Sequence, residues 1–285
     1  MRLRPATEAD AEAAANLVIA VDIAHLGEAD YTLGDLQAEW QEAGFELARD
    51  AAIVEDDAGA PVGYAHFRGR DAMAAVDPDR EGEGAGTLLL DWIKRRGAER
   101  GERSLRQAVG AQGTRARELL EADGWTLTKH FWRMERPTQP DDAEPEGLRP
   151  LTAEDAQTIH AINEAAFAQV PGYRPQSREA WTRREFHAHG VDLALSRRTD
   201  DGFALVRRWP DDVLYVALLA VHPDAAGRGL GAKLLTGVFA AAHAAGQRSV
   251  QLNVAADNPN AVRLYERVGM TQRWRIDAYE RPLPD

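Results

Sequence analysis

The sequence predicts two tandem domains of one α/β (α+β) fold, each a mixed, mostly antiparallel sheet flanked by helices. Three observations predict it. The order of apolar runs and turns in the first half returns in the second, a constant spacing relates the two copies, and Pro137–Gly147, rich in proline and acid and without apolar periodicity, stands between them. LRPATEAD at 3–10 recurs as LRPLTAED at 148–155, and Gly82, Gly84 and Gly86 recur as Gly227, Gly229 and Gly231, all 145 positions on. GTRARELLEADG (113–124) stands over NPNAVRLYERVG (258–269) at the same spacing. The expected division is therefore an N-terminal domain over 1–137, a linker over 138–146 and a C-terminal domain over 147–285.

Each element has a local cause. Thr7 and Asp10 make a capping-box start for a helix through Ala13, Leu17 and Val21. AAIVED (51–56) and PVGYAHF (61–67) read as a hairpin of two strands, and AMAAV (72–76) as a short strand running into the first glycine loop. A helix over 87–101, a strand over 104–109, a helix over 114–124 and a strand over 125–136 follow. In the second half, Thr152 and Asp155 start a helix through Ile159, Ile162 and Phe167. VDLALSRR (191–198) and GFALVRR (202–208) read as strands about a turn at Thr199–Gly202. LYVALLAV (214–221) reads as a buried strand, then come the second glycine loop, a helix over 230–245, a strand over 249–256, a helix from near Asn260 and a strand over 270–281.

Composition removes several functions. Apolar residues make up 44% of the chain, enough for packed cores, yet no apolar run approaches a membrane span and the N-terminus lacks the apolar centre of a signal peptide. A cytoplasmic protein without a membrane partner is expected. There are no cysteines, which excludes disulfides and thiolate chemistry, and the eight histidines show no HExxH-type spacing, so no metal is expected. With 34 basic against 46 acidic residues the net charge is −12, which argues against a nucleic-acid partner.

Chemistry concentrates in Val221–Leu235. A strand, a glycine loop and a helix start make an anion-binding arrangement, because unpaired N–H groups at the helix N-terminus point into the loop and the helix dipole favours negative charge there. A phosphate-bearing ligand follows. A dinucleotide fold does not, since the loop comes after the fourth predicted strand of its half and no acidic residue ends a strand about 20 residues on.

With this loop, the strand before it and NPNAVRLYERVG placed, both halves resemble the GNAT superfamily of N-acetyltransferases, and the tandem arrangement resembles mycothiol synthase and related two-domain members. The resemblance covers essentially the whole chain and is most specific in the second half, where two separated motifs occur in order. It implies two tandem GNAT-type acyl-CoA N-acyltransferase domains and acetyl-CoA as acyl donor. By motif position, the backbone of Gly227, Arg228, Gly229, Leu230, Gly231 and Ala232 would hold the CoA pyrophosphate. The family's usual Arg or Gln before the first glycine is here Ala226. Leu219, Ala220 and Val221 occupy the place where GNAT strands splay and free an amide to polarise the thioester carbonyl. Asn258 matches the asparagine that contacts CoA, and also reads as a helix start. Tyr265 matches the tyrosine beside the CoA sulfur, where a phenol can protonate the departing thiolate.

The amine must lose a proton, so a carboxylate is needed. Related tandem enzymes place one near the start of the fourth strand. This chain has Tyr215 there, preceded by Asp211 and Asp212, and Asp212 is the candidate base. His222 reads as structural. Glu164, Phe167, Tyr173, Trp181, Trp274 and Tyr279 are candidates for substrate contacts.

In the first half the positions of Ala226, Asn258 and Tyr265 hold Glu81, Gly113 and Leu120, and Glu83 adds another carboxylate to the loop. A catalytically degenerate N-terminal domain and a catalytic C-terminal one are expected. The expected reaction is acetyl transfer to a primary amine of a small molecule by direct attack in a ternary complex, in a monomer or homodimer. Two alternatives stand beside it: mycothiol synthase activity proper, and a non-catalytic acyl-CoA-binding or interaction protein.

Overall fold

A computed structural model describes residues 1–170 and 173–284. The repeated N-terminal motif forms the same lock twice. Asp10 Oδ2 accepts from the Thr7 amide and hydroxyl (both 2.8 Å) while Arg4 donates to both carboxylate oxygens (2.8 and 2.7 Å). Asp155 does the same with Thr152 (2.9 and 3.1 Å) and Arg149 (2.9 and 2.7 Å), and takes a second cation, Arg198, at 2.8 Å. One carboxylate thus satisfies a helix start and ties the preceding strand to it.

The elements are β1 (Arg2–Pro5), α1 (Ala11–Leu26), α2 (Leu33–Trp40), α3 (Leu47–Asp50), β2 (Ala51–Glu55), β3 (Pro61–Arg68), β4 (Asp71–Val76), α4 (Ala85–Glu99), β5 (Ser104–Gly110), α5 (Thr114–Ala122) and β6 (Thr126–Pro137). The second half adds β7 (Arg149–Pro150), α6 (Ala156–Phe167), α7 (Arg178–Trp181), β8 (Arg197–Arg198), β9 (Gly202–Trp209), β10 (Val213–Val221), α8 (Leu230–Ala244), β11 (Ser249–Ala255), α9 (Pro259–Arg267) and β12 (Thr271–Pro282).

Two compact units form, Met1–Phe131 with Trp274–Asp285, and Trp132–Arg273. This differs from the contiguous division expected at 137 and 147. The reason is pairing: Ile276–Pro282 of β12 lies antiparallel on Ser104–Gly110 of β5, so the last strand of the chain completes the first unit. In the second unit the end of β6 takes that place beside β11. The linker expected over 138–146 is also held to the second unit. Arg136 grips Asp142 with two nitrogens (3.0 and 2.7 Å), the Thr138 amide donates to the Arg248 carbonyl (3.0 Å), and Glu144 pairs with Arg197 at 2.7 Å.

Within each unit helices cover both faces of the sheet. In the first, α1 packs Ala14, Leu17 and Val18 against Ile53, Tyr64 and Ala75, while α4 buries Leu89, Leu90 and Ile93 against Val54, Ala65 and Phe67. In the second, α6 buries Ile159 and Ile162 with Phe203, Leu205 and Ala220, and α8 buries Leu234, Leu235 and Val238 with Leu214, Val216 and Val250. One predicted strand is mostly a turn: of VDLALSRR only Arg197–Arg198 pairs as a strand. Asp192 accounts for it, accepting from the Leu195 amide at its side chain (3.0 Å) and from Ser196 at its carbonyl. Among the described residues no helix is long and apolar enough to cross a membrane, and no cluster of metal-ligating side chains is gathered.

Candidate active site

β10 carries the site because it loses one neighbour part-way along. It pairs in parallel with β11 only from Val213 to Tyr215, against Ser249–Gln251. From Val216 onward the two strands part, so Leu219, Ala220 and Val221 border an opening. On the other edge the register against β9 shifts between Val216 and Leu218, a bulge that sets Ala217 out of the ladder. The opening leaves backbone polar groups of β10 without their sheet partner, the condition for an amide that can polarise a carbonyl.

Beyond Val221 the chain makes a short turn at Pro223–Ala225 and enters the loop. Gly227 and Gly229 have φ of +78° and +74°, backbone that only glycine adopts freely. No side chain caps α8, so the N–H groups of its first turn, Leu230, Gly231 and Ala232, are left for a ligand. Gly231 serves a different purpose: a Cβ there would lie 2.9 Å from Leu264 of α9, so its absence lets the two helices close. Arg228 folds back to donate to the Asp224 carbonyl at 3.1 Å. Lys233, one turn into α8, borders a 270 Å³ cavity with Leu230, Arg149 and Arg198, and with Asp200 and Asp201. Sequence reading overlooks it, although its spacing from Leu230 is the available signal.

Tyr265 of α9 is buried, 9% exposed, among Leu214, Val216, Leu252 and Val254. Burial, reinforced by the nearby Tyr215, pushes its phenol up to about 12, so it carries its proton at neutral pH. Tyr215 stands between this phenol and a cation. The Arg133 guanidinium lies 4.9 Å over its ring, and Arg133 donates to Gln251 Oε1 at 3.0 Å. Asn258 caps α9, its Oδ1 accepting from the Ala261 amide at 3.1 Å, which agrees with the helix-start reading.

Loop, opening and buried phenol, all within one unit, are the parts an acyl-CoA transferase needs, and the acetyltransferase (GNAT) family model matches residues 21–125 and 157–270. The chain belongs to the GNAT family of acetyltransferases. It is an acetyl-CoA-dependent N-acetyltransferase with two GNAT domains, and it is similar to mycothiol acetyltransferases. That of Saccharopolyspora erythraea is 30% identical over 257 residues, covering 79% of this chain and 83% of that protein. That of Actinosynnema mirum is 30% identical over 289 residues, 97% and 85% of the two chains. Among solved structures, a GCN5-related N-acetyltransferase from Sphaerobacter thermophilus superposes with a TM-score of 0.81 at 25% identity, over 100% of this chain and 96% of that one. A tandem GNAT protein from the clavulanic acid biosynthesis pathway shares the fold, with a TM-score of 0.65 at 15% identity over 100% and 99% of the chains.

The other expected residues of this GNAT enzyme are divided. Asp212 stands exposed at the tip of the β9–β10 hairpin, with φ of +56° and Asp211 beside it at +59°. It precedes Ala217 by five residues of strand, roughly 16 Å, and so is not brought to the opening. Glu164, Phe167, Tyr173 and Trp181 do come together. Tyr173 donates to Glu164 Oε1 (2.5 Å), accepts from Asn163 Nδ2 (3.1 Å) and stacks on Phe167 at 5.8 Å, while His160 lies 3.6 Å from Glu164 and 5.4 Å from the Trp181 ring. Burial and this carboxylate push the Tyr173 phenol up to about 12. Phe167 and, from β10, Leu218 both pack against the core that Ile159, Ile162, Phe203 and Ala220 form, so the group shares the α6 side of the bulged strand. Trp274 and Tyr279 belong to the first unit instead, donating to Glu28 (2.8 Å) and Glu121 (3.0 Å). His222 accepts from the Asp224 amide at 3.3 Å, a turn-closing role.

The first unit keeps the same frame. β4 pairs in parallel with β5 only at Asp71 and Ala72 before parting, and Gly82 and Gly84 have φ of +86° and +97°. Where Asn258 stands in the second unit, a Cβ on Gly113 would meet His25 at 2.7 Å, so His25 fills that place. His25 also lies 3.7 Å from Glu81 in the loop.

Proposed function

We propose that the second unit transfers the acetyl group of acetyl-CoA to a primary amine of a small molecule by direct attack in a ternary complex. The observation that carries the reading is the buried, proton-bearing Tyr265 at the opening of β10, next to an uncapped helix start. In this mechanism the Gly227–Ala232 backbone and Lys233 hold the phosphates, with Arg228 swinging off its carbonyl to join them, and an amide of β10 near Leu219 takes the carbonyl oxygen. The amine nitrogen attacks the carbonyl carbon, the C–S bond breaks, and Tyr265 donates its proton toward the sulfur. With Asp212 out of reach, Glu164 accepts the amine proton, held in place by Tyr173 and His160. Amines are cationic at neutral pH, and a carboxylate with a neutral phenol suits both the charged and the neutral form.

At the positions of Tyr265 and Asn258 the first unit has Leu120 and Gly113, and Asp77–Thr87 holds four carboxylates against one guanidinium, so it is not a second catalytic centre. A second reading takes the acceptor from the relatives' printed name, mycothiol biosynthesis chemistry on a cysteinyl amino sugar. It rests on 30% identity over 97% of the chain. Thiol release from acetyl-CoA, followed with and without a panel of amines that includes a cysteinyl amino sugar, tests both. Release should require an amine; rapid release of one equivalent without any would contradict direct attack.

A further inference from the structure

The first unit contains two adjoining cavities, about 520 and 200 Å³, on either side of the place where β4 and β5 part. They share Val21, His25, Ala74, Gln107 and Ala116 as walls. Their combined size suits a small organic molecule. Two independent features define what it is.

The first is charge. Glu81 and Glu118 border the larger cavity, against a single guanidinium among its described lining residues, Arg115, which donates to the Glu81 carbonyl at 2.9 Å. Burial holds His25 below its ordinary value and so keeps it largely neutral near pH 7. Glu81, with the other acids of the Asp77–Thr87 loop, and Glu118 stand where a pyrophosphate would have to lie. The helix dipole of α4 offers about half a charge of attraction, less than one carboxylate opposes.

The second is Gln107. It is 8% exposed, borders both cavities, and its carboxamide oxygen is buried with no hydrogen-bond partner among the described residues. A buried amide oxygen left unpaired is costly, and a ligand N–H recovers that cost. The remaining wall, Val21, Ala74, Val76, Leu90 and Leu119, is apolar.

We propose that this cavity pair is a binding site for an organic ammonium ion with an apolar body, its N–H groups directed to Gln107 and its charge to the Glu81 side, and that the first unit does not bind CoA. The site is separate from the acetyl-transfer reading of the second unit. Its test measures binding alone, so failure of one leaves the other standing.

Benzylamine is titrated calorimetrically into the full chain, wild type, Glu81→Lys and Gln107→Leu, with neutral N-benzylacetamide as the comparison. Expected is saturable benzylamine binding that weakens tenfold or more in each variant, and at least tenfold weaker binding of the neutral amide to the wild type. Glu81 is on a surface loop, so Glu81→Lys serves even where Gln107→Leu disturbs folding. Equal binding of the neutral amide, benzylamine binding unmoved by Glu81→Lys, or more than one acetyl-CoA bound per wild-type chain would overturn the proposal.

Discussion

Replacing Tyr265 by Phe removes one oxygen and little else. The ring keeps its place among Leu214, Val216, Leu252 and Val254, so stability should change by no more than about 1 kcal/mol. The effect on catalysis follows from the phenol's acidity. At about 12 against an ordinary 10, burial favours the neutral form by about 2.7 kcal/mol. A CoA-type thiol in water sits near 8.5, so complete proton transfer from Tyr265 to a fully formed thiolate would be uphill by about 4.8 kcal/mol. Tyr265 therefore works first as a hydrogen-bond donor to charge developing on sulfur. A hydrogen bond to a charged group contributes about 1.5–3 kcal/mol, which is a loss of roughly 10- to 10²-fold in kcat. The assay is steady-state thiol release, with acetyl-CoA affinity and the thermal midpoint measured on the same preparation. A kcat within twofold of wild type, or a loss matched by weaker acetyl-CoA binding, would refute the assignment. Because the folded phenol keeps its proton until about pH 12, an alkaline fall in rate below pH 10 would also count against it.

Glu164→Gln keeps a partner for Tyr173 but cannot take a proton, and kcat/KM for the amine should fall about 10²-fold with acetyl-CoA affinity unchanged; an unaltered pH–rate profile would show the base to be elsewhere. Asp155→Asn breaks a buried carboxylate shared by Arg149, Arg198 and a helix start, and should cost about 3 kcal/mol in denaturant unfolding at pH 7. Its cations hold the Asp155 carboxyl below the usual range, so its stabilisation is present above about pH 4 and lost as pH falls further. The gap between wild type and variant should therefore shrink in acid, and a gap that widens would contradict the argument.

The repeat, the capping locks and the glycine loop are legible in the sequence because each depends on neighbours within a few residues or on an exact spacing. The partner of the last strand is not. β6 and β12 end copies of one pattern at one spacing, so either satisfies the alternation beside β5, and only the assembled fold shows that Ile276–Pro282 takes that edge. The same ambiguity places Trp274 and Tyr279 in the second half by sequence and in the first unit by structure. Asp212 is the carboxylate nearest the fourth strand, but position along a strand is distance, and the two aspartates at positive φ make the hairpin tip. Glu164 is visible in the sequence only as a candidate contact; its standing rests on Tyr173 and His160, which lie 9 and 4 residues away in sequence and both reach its Oε1.

Of the two similar glycine loops, only the one in the second unit is used for acetyl-CoA. Gly84 and Gly229 offer a matched comparison, since both have positive φ, at +97° and +74°, and at neither would an added Cβ meet an atom within 4 Å. Aspartate at either site costs about the same backbone strain, roughly 1–2 kcal/mol, and places the same carboxylate at the same point of the loop. Measured by thiol release at varied acetyl-CoA, Gly229→Asp should raise KM for acetyl-CoA tenfold or more, while Gly84→Asp leaves kcat and KM within twofold. Equal losses in the two variants, or a loss confined to Gly84→Asp, would show that the second loop is not the one that holds acetyl-CoA.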